Sequence, residues 1–565
     1  MLKSFSYLFT KKNQLLGISL IWVLVAVVIN PYGEFPFNDD WAYAQSVKAL
    51  VEDHTFFVSG WTSVNLLVQI GWGALFCLPF GFSFTALRLS TLAAGLIGLW
   101  GTHRLIYNST ENPQIAFTGT LLTLVNPIYL GLSASFMTDV PFYALMVWTL
   151  ACMVAGLKQD STRFMVVGIG LAVVGLLIRQ FGIALFAGFG LAYLVRRGIH
   201  LKNLVVAGAC VVLGLSVQVG YQRWLSYMMP GTVSYNVQAT NFFHLSYYKP
   251  QLFYGFINNT FASLMYVGLF MFPYFLVLFT KKSLFDFQKN RWVWLAATIA
   301  ILGVWQSMFD GITMPVWWNT LSAFGLGPML VRDLYFRLYG LPVPGVLQFI
   351  MVIVTAISLA GSICVLYSII NAVRFLINPS TRVIPRTVGV LLFSVLAIYF
   401  FPIGMQVLFD RYLLPIPVLV LILIHVAQSS SKQNILEQTL PVPLYLSVGL
   451  FGAYLLFSVF ATHDYLAWNR VRWRALNTMV QQGIKPSEID GGLEFNAWHL
   501  YDASYKPTPS KSWWWVHNDT YVLGASLLPG YTLFQEHRVD TWFPWGFQKI
   551  TIGKKSQVVA RNADQ

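Results

Sequence analysis

Apolar runs of about twenty residues, separated by short polar connections, recur along the chain from residue 14 to residue 461. A helix of that length crosses the hydrocarbon core of a bilayer. The pattern predicts spans near 14–30, 83–105, 114–132, 140–157, 163–178, 181–195, 203–221, 257–280, 292–308, 346–373, 387–408, 412–427 and 441–461, thirteen in all. The apolar stretch Val64–Phe82 is set apart. It contains Asn65, Gln69, three glycines and Pro79 and follows a polar loop, so it reads as an interfacial or re-entrant helix.

After residue 461 the pattern changes. A helix is expected over Trp468–Gln482, then a turn at Asp490-Gly491-Gly492, then strand-like runs at 520–526, 531–540 and 548–552. The expected architecture is an all-α polytopic membrane protein of about 13 transmembrane helices with a small C-terminal α/β domain. Residues 1–461 would form the membrane part, with 31–82 as a first outer loop, and 462–565 a soluble exoplasmic part. Long outer loops are also expected at 222–256 and 309–345, and long loops in compact domains commonly carry function.

Composition supports this reading. The chain is 56% hydrophobic and 10% charged with a mean hydropathy of +0.61, more apolar surface than a soluble fold can cover. The net charge of +14 suggests nucleic acid at first sight, but its distribution argues otherwise. The segment from Thr462 holds 11 Lys/Arg against 9 Asp/Glu, and most other positive charge lies in connections between spans. With the N-terminus in the cytoplasm, the inner loops collect Arg104, Lys158, Arg163, Arg196, Arg197, Lys281, Lys282, Arg374, Arg382 and Lys432. That is the positive-inside pattern, and it puts the C-terminus outside. Cys77, Cys152, Cys210 and Cys364 lie in apolar stretches without CxxC spacing, so neither a disulfide framework nor a zinc site is expected.

Against this background, Asp39 and Asp40, adjacent carboxylates after the first span, call for an explanation. Trp41, Ala44, Val47 and Leu50 follow at helical spacing, and Asn38 is placed to cap that helix. A surface helix opened by acidic residues explains the pair; so does a reaction centre. Further charges fall on the outer side: Arg88 inside the second span, Asp139 before Pro141, Arg179-Gln180 between two apolar runs, Asp410-Arg411-Tyr412, and His463-Asp464 after the last span. Each has a local explanation, such as snorkelling for Arg88 or capping for Asp139. Together they describe carboxylates and guanidiniums around an outward-facing cavity at headgroup depth.

Such a set suits glycosyl transfer from a lipid phosphate. Arginines meet the charge that develops on the departing phosphate, and a carboxylate takes the proton of the attacking hydroxyl. Two arginines neutralise a monophosphate without metal; a diphosphate carrier would call for a divalent cation, so no cofactor is firmly assigned.

The motifs Asp39-Asp40-x-x-Tyr43-Ala44, Phe84-x-x-x-Arg88, Phe136-Met137-Thr138-Asp139 and Asp410-Arg411-Tyr412-Leu413-Leu414-Pro415 resemble those of the GT-C glycosyltransferases. The resemblance is to the branch of aminoarabinose transferases, protein O-mannosyltransferases and lipopolysaccharide-core galacturonosyltransferases. It implies that Asp39 takes the catalytic-carboxylate role, with Asp40 where the family often has Glu; the charge pattern itself offers Asp139 as a further catalytic candidate and Arg88, Arg179 and Arg411 as donor-phosphate binders. Tyr43, Gln180, Tyr412 and His463 are candidates for orienting the acceptor. The implied donor is an undecaprenyl- or dolichyl-phosphate sugar, and the implied acceptor is a lipid, glycan or protein. Transfer would invert C1 on the non-cytoplasmic face of a bacterial inner membrane.

A lipid-linked-sugar flippase or other transporter is the alternative of another class, and an O-antigen ligase or polymerase the third reading. The first would show internal repetition and midplane charges; the sequence has no evident repeat. The tail departs from the named branches at Trp468-Asn469-Arg470, Ile489–Asn496 and Trp513-Trp514-Trp515. The three tryptophans can stack on sugar or rest at the membrane interface.

Overall fold

The computed structural model describes residues 13–229, 249–279, 291–309, 314–315, 320–322, 325–327, 345–405, 408–428, 441–506, 514–516, 518–544 and 548–556. Lys281, Lys282, Lys432, Trp513 and most of the outer loops expected at 222–256 and 309–345 lie outside these residues.

Helices dominate. The first half carries α1 (Gln14–Ile29), α2 (Asp40–Glu52), α3 (Leu67–Cys77), α4 (Phe84–Thr110), α5 (Pro113–Leu124), α6 (Pro127–Ser133), α7 (Asp139–Gln159), α8 (Thr162–Leu176), α9 (Ile183–Arg197) and α10 (Leu201–Met228). The second half carries α11 (Lys249–Phe279), α12 (Arg291–Phe309), α13 (Gly345–Ile377), α14 (Val383–Met405), α15 (Ile416–Gln428), α16 (Pro441–Gln481) and α17 (Leu493–Leu500).

Every expected span has a helix in its place. By length and apolarity, eight described helices can cross a membrane, or nine if the bent pair α5–α6 counts as one span. The spans expected at 14–30, 163–178, 181–195 and 292–308 fall on shorter helices, so length alone does not yield thirteen crossings.

The straight span expected over 114–132 is instead two helices bent by 63°. Proline cannot donate to the helix ladder and its ring clashes with the preceding turn. At Pro127 the chain restarts, and the Asn126 side chain accepts from the N–H groups of Ile128 and Tyr129. The bend delivers the buried segment Ser135–Asp139 to the site described below.

The first loop is more buried than a surface helix would be. Trp41, Ala44 and Val47 are fully buried along the expected face of α2. Asn38 does not cap this helix: its φ of 52° places it in the left-handed region, and Asp39 occupies the capping position without a side-chain cap bond. α3, with 11 residues, is too short to span, consistent with an interfacial placement.

At the C-terminal end, α16 runs 41 residues without interruption. The last expected span and the helix expected at 468–482 are thus one rod, and the boundary expected at 461/462 falls inside it. A four-stranded sheet follows, ordered β3 (Ile489–Asp490), β4 (Tyr521–Gly524), β6 (Lys549–Lys555) and β5 (Tyr531–Arg538), the labels following chain order with β1 (Leu321–Ser322) and β2 (Gly325–Leu326) before them. β3 pairs parallel to β4, and the other pairings are antiparallel, with a bulge between Leu533 and Gln535.

Candidate functional site

Four distant segments meet above the ends of the long helices. Asp39 stands at the start of α2, where one carboxylate oxygen accepts from the Trp61 indole at 3.0 Å and the other pairs with Arg411 at 3.3 Å. Its side chain keeps 22% of its exposure, while that of Arg411 keeps 8%. The carboxylate is therefore gripped on both oxygens and still open to water.

Across from it, Arg179 forms a tight ion pair with Asp139, both buried. Tyr412 lies between the two arginines, with the Arg179 guanidinium 4.8 Å and the Arg411 guanidinium 5.5 Å from its ring centre. Cation–π contact of this kind favours the charged forms and spaces the guanidiniums without pairing them. Arg179 Nε, Arg411 Nε and Asp139 Oδ2 are buried and make no hydrogen bond among the described residues. Unsatisfied donors at this depth are costly and point toward an anion as their partner.

Tyr43 follows Asp39 by one helical turn, so both side chains lie on the same face of α2. Its hydroxyl feels Asp39, Arg411, Arg179 and Asp139 together; burial is the main cause that pushes its pKa well above the ordinary phenol value. Tyr43 is therefore a neutral hydroxyl at the centre of the charged group.

The remaining expected residues have other occupations. Asp40 is 1% exposed and accepts from the Phe37 N–H at 2.6 Å and the Phe136 N–H at 2.8 Å. It ties the first loop to the segment after α6, and burial pushes its pKa up to about 7 against the pull of those two N–H groups and Arg88. Arg88 is not in the cluster with Arg179 and Arg411. Its guanidinium binds the carbonyls of Pro31, Gly33 and Phe35 and sits 3.9 Å over the Phe35 ring. Gln180 donates to the Ser63 carbonyl at 2.9 Å. His463 stacks on Trp542 at 3.6 Å and bonds Asp464, which in turn accepts from the N–H groups of Trp542 and Phe543. That contact docks the tail on α16.

Asp410, beside Arg411, accepts from the N–H groups of Thr320 and Leu321 at 3.1 and 2.7 Å, anchoring β1 next to the cluster. Behind β1 lies an apolar cavity of about 240 Å³, lined by Pro127, Phe270, Leu321, Met351, Val354 and Phe457 among others.

Two participants had no assignment from sequence. Trp61 is one, placed by a loop that has no periodicity to read. Glu494 is the other: it pairs with buried Arg472 at 3.0 Å and accepts from the Asn38 N–H at 3.2 Å. The tail motif around Asp490-Gly491-Gly492 was visible in sequence, but its docking on the residue before Asp39 was not.

A multi-span helical protein with paired carboxylates and arginines at one end of its helices is the class these features define. Residues 72–224 match the family described as dolichyl-phosphate-mannose-protein mannosyltransferase, which agrees over that segment with the protein O-mannosyltransferase branch of the resemblance. The match includes Arg88, Asp139 and Arg179 and stops short of Asp39 and Arg411. No curated protein matches the chain.

Among solved structures, oligosaccharyltransferase AglB from Archaeoglobus fulgidus, in complex with an inhibitory peptide and a dolichol-phosphate, aligns with a TM-score of 0.42 and 12% identity. The alignment covers 85% of this chain and 59% of that one. ArnT from Cupriavidus metallidurans bound to undecaprenyl phosphate aligns with a TM-score of 0.38 and 14% identity, over 96% and 98% of the two chains. This chain thus spans less than two thirds of the length of the archaeal enzyme.

Proposed function

We propose that the protein is an integral-membrane glycosyltransferase that moves a sugar from a polyprenyl-phosphate donor to an acceptor hydroxyl with inversion at C1. The carrying observation is the carboxylate of Asp39, gripped by Trp61 and Arg411 yet open to water, beside the buried Nε atoms of Arg179 and Arg411, which make no hydrogen bond among the described residues. Arg411 and Arg179 bind the donor phosphate, and the apolar cavity behind β1 takes part of the prenyl chain. The acceptor oxygen attacks C1 and the C1–O bond to phosphate breaks. Asp39 takes the proton of the acceptor, and the arginines meet the charge left on the phosphate.

In this reading Asp139 holds Arg179 in place and Tyr43 can hydrogen-bond donor or acceptor. Asp40 and Arg88 act by fixing the loop that carries Asp39, and Gln180, Tyr412 and His463 act through position. The site faces the exoplasm of a bacterial inner membrane, with the N-terminus in the cytoplasm and the C-terminal region outside. The acceptor is a lipid, glycan or protein. A monophosphate donor needs no divalent cation here, so transfer is expected to persist in EDTA.

The test is radiolabel transfer from a panel of undecaprenyl-phosphate sugars (mannose, aminoarabinose, galacturonic acid) into membrane acceptors. Asp39→Asn keeps the shape of the side chain but cannot accept a proton at neutral pH. A loss of roughly 10²-fold or more in turnover is expected; wild-type turnover in a folded Asp39→Asn protein would remove the carboxylate from the chemistry.

A further inference from the structure

Among the described residues, the Asp39 carboxylate has one hydrogen-bond donor from outside the charged cluster. The Trp61 indole N–H reaches Asp39 Oδ1 at 3.0 Å, leaving Oδ2 to Arg411. A carboxylate held on each oxygen by a different group has its plane fixed, which a single ion pair would not achieve. Trp61 comes from the loop between α2 and α3 and belongs to no helix or strand. The tail holds it, together with Trp41 of α2, whose ring centre lies 6.1 Å from that of Trp61.

The Trp61 ring meets Trp515 at 5.3 Å, Trp514 at 6.1 Å and Tyr501 at 6.2 Å, all edge-on. Edge-to-face contacts at these separations are favourable and set ring orientation as well as place. Trp41 closes the group against Trp515 and Tyr501 at 6.0 and 5.2 Å. Trp514 and Trp515 have φ values of 67° and 64°, a conformation that bulky residues hold only when their surroundings impose it. The Trp515 indole is itself tied to the Asp502 carbonyl at 3.0 Å. The tail thus spends backbone conformation on presenting two rings to one loop tryptophan.

We propose that Trp61 is a positioning residue for Asp39, and that the tail, through Tyr501, Trp514 and Trp515, holds Trp61 in the orientation that aims its N–H at the carboxylate. The role of Asp39 as proton acceptor rests on the function proposed above; the positioning contact does not. The C-terminal region therefore completes the reactive group, making activity depend on tail docking.

The experiment has a spectroscopic arm and a kinetic arm on the full-length protein. With 5-fluorotryptophan incorporated, the Trp61 ¹⁹F resonance is assigned by its loss in Trp61→Phe. Asp39→Asn and Trp515→Leu are each expected to move it, the first by changing the acceptor and the second by freeing the ring. An unmoved resonance in both variants would overturn the proposal, whatever the substrate.

In transfer from the undecaprenyl-phosphate sugar that labels best, replacing Trp61 by its benzothiophene isostere removes only the N–H. A fall of about tenfold in kcat is expected, with the donor KM within about twofold, the scale of one hydrogen bond to a charged group. Trp61→Phe should add no further loss in an Asp39→Asn background, because the two act as one unit. Full additivity would assign Trp61 a purely structural role and overturn the positioning claim. Undiminished transfer in Asp39→Asn alone would sink the proton-acceptor reading and leave the resonance arm to judge the contact.

Discussion

Asp39 and Arg411, 372 positions apart in the chain, meet in an ion pair of 3.3 Å that leaves the carboxylate more open than the guanidinium. The second pair, Arg179 with Asp139, is closed on both sides, at 5% and 2% side-chain exposure. The contrast in burial separates a group that can exchange protons with an acceptor from one that holds geometry.

The two arginines are accordingly expected to behave differently. Arg411→Ala should fold and raise the donor KM by about tenfold or more, the cost of a lost charge-assisted contact. Arg411→Lys keeps charge without the planar fork and should recover only part of this. Arg179→Ala should raise the donor KM as well and, because it also strands a buried carboxylate, should cost about 3–5 kcal/mol of stability, which Arg411→Ala should not. Donor titrations paired with thermal unfolding in detergent distinguish the two, and an unchanged midpoint for Arg179→Ala would contradict the assignment.

Arg88 is expected to act on folding. Arg88→Ala leaves the Phe35 carbonyl without its guanidinium donor and the Gly33 carbonyl with only the Thr85 hydroxyl, a cost of about 1–3 kcal/mol for a group left unsatisfied. The thermal midpoint should fall while the folded fraction keeps its donor KM. A raised KM at an unchanged midpoint would return Arg88 to the phosphate site.

Asp40 carries a pH dependence. Its pKa is pushed from 3.8 to about 7 by burial, so the folded state holds the proton more tightly than the unfolded chain. A raised pKa contributes stability that is fully present below about 4 and is lost as pH rises toward about 7. The thermal midpoint of the wild type should therefore decline between about pH 4 and pH 7, and Asp40→Asn should flatten that slope. Asp40→Asn should also be less stable at low pH, since its amide turns a donor toward one of two backbone N–H groups. An identical slope in both proteins would refute the assignment.

The first loop and the tail share one side of the membrane in this arrangement, because Glu494 binds the Asn38 N–H directly. Single cysteines at Thr55 and Asp540, both exposed, should react alike with an impermeant maleimide in spheroplasts of a cysteine-free background. Labelling of one site only would break the topology and the charge argument behind it. Glu494→Gln should leave labelling intact while weakening activity through the loop that ends at Asp39.

Much of this protein was determined by its sequence alone. Helix positions followed from apolar run lengths, because a bilayer imposes a length that composition must match. Asp39, Asp139, Arg179 and Arg411 could be singled out because charge in so apolar a chain is conspicuous, and Tyr43 only through the motif it shares with Asp39. The break at Pro127 was missed, because uniform apolarity over 114–132 reads as one continuous span. Only the tertiary structure decided the division of labour among those charges. Asp39 and Asp40 are neighbours in sequence, yet a helix turns successive side chains by about 100°, so one meets Arg411 and water while the other meets two backbone N–H groups. Arg88 likewise resembled its fellow arginines until the loop carbonyls that claim it were in place. The tail's grip on Trp61 had no sequence signal at all, since aromatic contacts between segments more than 400 residues apart arise from packing and leave no local periodicity.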